Sequence, residues 1–296
     1  MDRSFVCFST SAVLLEVVSD YSTETFVAAY KRFASRRGIC YSLYSDCGTN
    51  FAGADATLKS LFKAGSKELG KLATLLSNDG TNWVFNPPGA PHFGGKWEAA
   101  VKSLKFHLSR VIGETLLTYE EMTTFLHQVE AILNSRPLAP LSEDPADLSA
   151  LTPGHFLIGE ALNAVPEPSL SELAESRLSK WQLIQQRTEH FWKRWSAECL
   201  QRYQAISKWH HASNEVKVGS LVLITDERLP PTKWPLARVL SLHPGRDGLT
   251  RVVTIRSATS TLTRPIAKLC VLPVDAFEEP FVNAVAKGGE NVKKLA

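Results

Sequence analysis

The sequence predicts a mixed α/β domain, then a long helix, then a small all-β module. Three observations carry this. Strand-like runs alternate with amphipathic helical stretches over the first 140 residues. About Glu175–Ser207 is a charged stretch with apolar residues near a 3.5-residue spacing. From Val216 the texture turns to short β runs separated by turn signals such as Pro230-Pro231 and Pro244-Gly245-Arg246-Asp247-Gly248.

In chain order, Phe5–Phe8 and Ala12–Val18 read as two strands joined by a Ser/Thr turn. The second is apolar throughout and suits a sheet covered on both faces. Ser22 or Thr23 caps a helix with Phe26, Val27, Tyr30 and Phe33 on one face, and Gly38 stops it. Ile39–Tyr44 is a short strand, about Ala54–Lys63 a helix burying Leu58, Leu61 and Phe62, and Trp83–Phe85 another strand. The apolar positions Val101, Leu104, Leu108 and Ile112 define a long helix that opens near Glu98. Thr118 and Glu121 match a capping box ahead of the stripe Met122, Phe125, Leu126, Val129, Ile132 and Leu133, and Pro137 ends that helix.

Residues 137–175, rich in Pro, Ser, Asp and Glu, read as a connector with little structure of its own. In the long helix the apolar positions are Leu178, Trp181, Ile184, Phe191, Trp195, Cys199 and Ile206. The β runs are Leu221–Thr225, Leu236–Leu242, Val252–Arg256, Leu262–Thr263 and Leu269–Leu272, enough for a small barrel. The expected domains are 1–140, a connector and long helix at 141–210, a β module at 211–275 and a frayed tail at 276–296.

Composition narrows the class. Of 296 residues 44% are hydrophobic and 21% charged, ordinary for a globular protein with a sizeable core. No apolar run approaches the roughly 20 residues of a membrane span, so no membrane partner is expected. The start Met1-Asp2-Arg3-Ser4 has no basic-then-apolar leader. Five scattered cysteines without a Cys-x-x-Cys pair point to a reduced, intracellular protein with no zinc site. The net charge of +3 is uneven: residues 1–180 hold 16 Lys/Arg against 20 Asp/Glu, and 181–296 hold 17 against 10. Any basic, polyanion-binding field belongs to the second part.

Two stretches carry chemistry. Tyr44-Ser45-Asp46-Cys47-Gly48-Thr49-Asn50-Phe51 places a carboxylate where a strand runs into a Gly turn. Pro91-His92-Phe93-Gly94-Gly95-Lys96-Trp97-Glu98 ends a Pro/Gly loop and puts a second carboxylate in a helix's first turn. Lys102 and Lys105 follow Glu98 at i+4 and i+7, on one helical face, where they can lie along a phosphate backbone. Read alone, Asp46 is a turn residue, Glu98 a favourable dipole contact, and the lysines a solvated face. His155 stands without a metal-ligand partner, and Ser135 without a nucleophile elbow.

Together these stretches resemble the integrase core of BEL/Pao-type LTR retrotransposons, which are DDE polynucleotidyl transferases with an RNase H-like fold. Leu133-Asn134-Ser135-Arg136-Pro137-Leu138 and Thr152-Pro153-Gly154-His155-Phe156-Leu157-Ile158-Gly159 resemble segments that follow the core, so the likeness spans roughly residues 5–275. It implies an RNase H-like mixed sheet followed by a helical linker and an SH3-like barrel. The implied activity is metal-dependent 3′-end processing and joining of element DNA to target DNA, by a homo-oligomer in the nucleus.

The resemblance makes Asp46 and Glu98, 52 positions apart, the second and third acids of a catalytic triad holding two Mg²⁺ or Mn²⁺ ions. It places Asn50 close to DNA, where a turn residue is the alternative. Lys102, Lys105, Arg194 and Arg202 are the expected DNA contacts. The family's first acid lies on a strand ahead of Phe5–Val18, and the sequence begins at that pair, so an N-terminally truncated core is expected. Asp2 and Asp20 stand at the wrong places to substitute. Cys47 replaces the family's usual Asn, and its His/Cys zinc module has no counterpart here. A catalytically inactive DNA-binding or assembly remnant is therefore the alternative to an active integrase.

Overall fold

The computed structural model describes residues 2–45, 51, 53–60, 82–86, 95–210, 216–225 and 229–272. It divides into two compact units. The first comprises Met1–Leu133 with Ser169–Phe191, and the second Asn134–Pro168 with Trp192–Ala296.

In the first unit, strands β1 (Asp2–Val6) and β2 (Val13–Val17) pair antiparallel, from Asp2↔Val17 to Val6↔Val13. Every residue of β2 is buried, as its unbroken apolar run requires. Its one charged residue, Glu16, is 5% exposed and accepts from Arg32 Nε at 2.6 Å and from Arg36. Both arginines belong to helix α1 (Thr23–Arg37). The Ser22 hydroxyl caps α1 by accepting the Thr25 N–H at 3.2 Å, and Gly38, at φ 80°, ends it in a backbone conformation that side chains disfavour.

Strands β3 (Ser42–Ser45) and β4 (Asn82–Phe85) form a separate parallel pair, in register from Ser42↔Asn82 to Ser45↔Phe85. Here the strand begins three residues later than the apolar run suggests, and Ile39 is 49% exposed. Residues 53–60 form helix α2. Phe26, Val27 and Tyr30 of α1 pack with Ala54, Leu58 and Trp83, and Phe5 and Leu43 lie against the same core. Phe5 stacks on Phe33 at 4.9 Å, and Phe26 lies 5.3 Å from Trp83. Both two-stranded sheets thus share one aromatic core with α1. Leu61 and Phe62 lie outside the described residues.

Helices α3 (Gly95–Ile112) and α4 (Tyr119–Asn134) follow. The capping box forms: the Thr118 N–H donates to Glu121 Oε2 at 2.7 Å, and the Glu121 N–H to Thr118 Oγ1 at 3.3 Å. The Thr118 backbone hydrogen bond holds the Glu121 carboxyl below its usual pKa. Phe125, Leu126, Val129, Ile132 and Leu133 are buried, as the stripe predicts.

The connector carries more structure than its composition suggests. Strands β5 (Ala139–Pro140) and β6 (Ala150–Leu151) pair antiparallel, and α5 (His155–Ile158) is a single turn. Helix α6 (Lys180–His210) starts later than Glu175, because Leu178 is extended and Ser179 with Gln182 forms a second capping box. Trp181, counted among its apolar positions, is 51% exposed, whereas Ile184, Phe191, Trp195 and Cys199 are buried.

In the second unit β7 (Leu221–Ile224), β8 (Leu236–Pro244), β9 (Thr250–Ser257), β10 (Thr261–Pro265) and β11 (Leu269–Val271) form one antiparallel sheet, ordered β10-β9-β8-β7-β11. Four strands meander and the fifth returns to pair with the first. Val222, Ile224, Ala237, Val239, Val253, Ile255 and Leu269 alternate into its core. Among the described residues no helix is long and apolar enough to cross a membrane.

Candidate active site

The parallel pairing of β3 and β4 sets where the residues just ahead of Asp46 sit. Because Ser45 is the register partner of Phe85, both strands leave the sheet at the same edge. Ligands of α/β sheets bind at the carboxyl ends of strands, where such exits converge. The edge is anchored from below: the Trp83 indole N–H donates to Ser45 Oγ at 2.9 Å in a buried bond. Asp46 follows Ser45 in sequence, but Asp46 and Asn50 lie outside the described residues.

Glu98 sits in the first turn of α3 and is exposed. The helix buries Leu104, His107, Leu108 and Val111 on its other side, which fixes the rotation of the exposed face. Lys102 and Lys105 share that exposed face, as their spacing predicts. The face continues through Phe106, Ser109 and Arg110, all exposed. Repeating the four-residue step from Glu98, at i+8 and i+12, marks Phe106 and Arg110, a signal present in the sequence beyond Lys105.

Arg194 and Arg202 lie on the part of α6 that belongs to the second unit, and both are exposed. Arg202 is paired with Glu198 one turn away, which spends part of its charge locally. Arg194 has no carboxylate partner among the described residues.

Asp20 is already committed. Its carboxylate accepts the Ser22 N–H at 2.8 Å at the start of α1. Hydrogen bonds from the Ser22 side chain and backbone pull its pKa down to about 2. Asp2 lies in β1, opposite Val17. Among the described residues no group of three or more His, Cys, Asp or Glu side chains is arranged to hold a metal ion. Glu98 offers the hard oxygen donor that Mg²⁺ or Mn²⁺ takes, and fits as one ligand of a larger set.

The stretches 134–138 and 152–159 do structural work within the second unit. His155 Nδ1 accepts the Thr152 N–H at 3.1 Å and lies 2.9 Å from Thr152 Oγ1. The Gly154 N–H donates to Asn134 O at 2.9 Å, and a Cβ on Gly154 would meet Leu162 N at 2.9 Å. Ser135 Oγ accepts the Trp234 indole N–H at 3.1 Å, in a cluster where Trp234 packs edge-on against Trp192 and Trp195. The motifs therefore meet as a buried polar seam, for which side chains and backbone both supply partners.

Residues 179–272 match a family described as a family of unknown function, DUF5641. The match takes in α6 and the five-stranded sheet and covers less than half of the chain. No curated protein matches. Among solved structures, the chain is similar to a simian T-cell lymphotropic virus intasome in complex with PP2A regulatory subunit B56 gamma, determined by cryo-EM. The likeness has 11% identity and a TM-score of 0.36, over 92% of this chain and 72% of that one. At that TM-score it carries no argument about fold or activity.

Proposed function

We propose that this chain is an integrase-type polynucleotidyl transferase of the BEL/Pao kind, acting on element ends and target DNA as an oligomer, with its five-stranded sheet serving as an SH3-like DNA-binding module. The observation that carries the reading is the parallel register Ser45↔Phe85. It sends two strands out at one edge; Asp46 follows one of them directly, and the chain beyond the other runs on to the helix of Glu98. The Ser-Asp-x-Gly-Thr-Asn-Phe and Pro-His-x-Gly-Gly-x-Trp-Glu motifs add chemical identity to that topology.

Asp46 and Glu98 are the residues that would hold Mg²⁺ or Mn²⁺, which supplies activation of the attacking oxygen and neutralises charge at phosphorus. Lys102 and Lys105 bind the strand's phosphates beside Glu98, and Asn50 positions the DNA close to the acids. Nearly all of the specificity in such contacts is for backbone rather than base. The antiparallel pair β1–β2 and the parallel pair β3–β4 are what an RNase H-like sheet leaves when its central strand, carrying the first acid, is taken away. The reading requires that strand and its acid in addition to the described residues. The return of β11 onto β7 adds a fifth strand beside the first of a four-strand meander, an order the barrel reading expects.

One observation favours a second reading, a catalytically inactive DNA-binding or assembly remnant. Asp20 is held at the start of α1, so it is not free to stand in for the first acid. The test is strand transfer with Mn²⁺, using this chain, the chain extended by its upstream segment, and Asp46→Asn and Glu98→Gln variants of each. Activity that both substitutions abolish supports the integrase reading. Activity that survives them overturns it. Silence in every form, with salt-sensitive DNA binding retained, selects the remnant.

A further inference from the structure

We propose that Phe106 and Arg110 form a stacking plate for an unpaired base, at the far end of a basic stripe that begins beside Glu98. The inference rests on the DNA-processing reading and adds a ligand class: a nucleic-acid end with unpaired nucleotides. The Arg110 guanidinium carbon lies 3.5 Å from the Phe106 ring centroid, and Arg110 Nη1 donates to Phe106 O at 3.3 Å. The ring is 47% exposed although the helix has a full apolar face elsewhere, in Leu104, Leu108 and Val111. An aromatic side chain held at the surface by a cation is a plate that water covers only poorly.

Charge decides the occupant. Lys102 and Arg110 lie on the i+4 ridge through Phe106, with Lys105 on its flank; all three are exposed, and none has a carboxylate partner among the described residues. From Lys102 to Arg110 the helix rises about 12 Å, enough to follow a strand past more than one phosphate. A row of cations ending in an aromatic ring is the pattern by which single strands are held: phosphates on the cations, a base on the ring. Bases inside a duplex are stacked on one another and offer no free face to a ring on a helix flank. The plate therefore favours the frayed or overhanging end over the blunt duplex.

The experiment measures binding of the full chain to a blunt duplex and to the same duplex with a short unpaired overhang carrying 2-aminopurine. Phe106→Ala weakens binding of the overhang by about tenfold and removes the 2-aminopurine quench, while blunt binding stays within about twofold. Phe106→Tyr keeps both signals. Arg110→Ala weakens both ligands and lowers the salt slope by about one. Thermal melts matching the parent chain show that these surface variants are folded. If Phe106→Ala binds and quenches like the parent, or loses both ligands equally, the stacking plate is overturned. Weakening by Lys102→Ala and Lys105→Ala in the same experiment would still uphold the DNA reading. A parent chain that binds neither ligand at low salt overturns both.

Discussion

The Glu130 carboxylate accepts the backbone N–H of Leu15 at 2.8 Å, so a side chain from α4 seals an edge position of β2. Arg37 lies 3.5 Å from the other carboxylate oxygen. Leu15 is 1% exposed, so its N–H has no access to water as a substitute. Glu130→Ala therefore leaves a buried donor unmade and costs about 1–3 kcal/mol, while Glu130→Gln, which keeps an acceptor, costs less. Denaturant unfolding followed by far-UV circular dichroism separates the two. Equal losses would show that charge toward Arg37, rather than the hydrogen bond, is what matters.

Arg238 is 4% exposed and its guanidinium donates to Asp147 O at 2.9 Å, Gly219 O at 2.8 Å and Ser142 O at 2.6 Å. It ties the 142–147 segment to the β sheet of the second unit. A planar fork reaching three carbonyls is a geometry that an ammonium cannot reproduce. Arg238→Lys is expected to cost roughly 2–3 kcal/mol, and protease nicking should then appear near Ser142–Asp147. Unchanged stability and cleavage would assign the tether to other contacts.

Asp20 has a folded pKa of about 2 against an ordinary value near 3.8, mainly through its hydrogen bonds from Ser22. A depressed folded pKa adds stability that is present above the unfolded value and is lost as pH falls through the folded one. The window is therefore pH 4 down to 2. The side-chain carboxyl carbon of Asp20 should titrate near 2 by NMR and move toward the ordinary value in Ser22→Ala. A midpoint near 4 in the parent chain would rule out the hydrogen bonds from Ser22 as a hold on the carboxylate.

Cys199 and Cys270 are both buried, and burial pushes their thiols up, to about 11 and about 12. The Cys270 thiol donates to Leu200 O at 3.4 Å. A raised folded pKa contributes stability that is complete below the unfolded value, near 9, and is lost as pH climbs through the folded values. The second unit should thus weaken progressively above pH 9. In the native chain at pH 8 a disulfide exchange reagent should modify exposed Cys7 and spare Cys199 and Cys270 until denaturant is added. Rapid native labelling of either buried thiol would contradict the packing.

Much of the local structure was legible because it rests on short-range rules. The Thr118/Glu121 box, the Ser22 cap, the Gly38 stop and the five β runs each depend on residues within a few positions of one another. The start of α6 is also a local signal, the Ser179/Gln182 capping box, four residues beyond Glu175. Of the candidate site, the helical face of Glu98, Lys102 and Lys105 follows from spacing alone, and the four-residue step extends it to Phe106 and Arg110.

The sequence by itself determined which stretches form helix or strand, because apolar period and capping chemistry are local properties. It also put the carboxylates, Asp46 and Glu98, at a strand exit and a helix start. Only the tertiary structure decided that β3 and β4 run parallel, that Glu130 reaches Leu15, and that Arg238 gathers carbonyls from two distant segments. Those are pairings between residues 19 to 115 positions apart. They are chosen by competition among many sterically possible partners, and burial of the whole core, not any local preference, settles that competition.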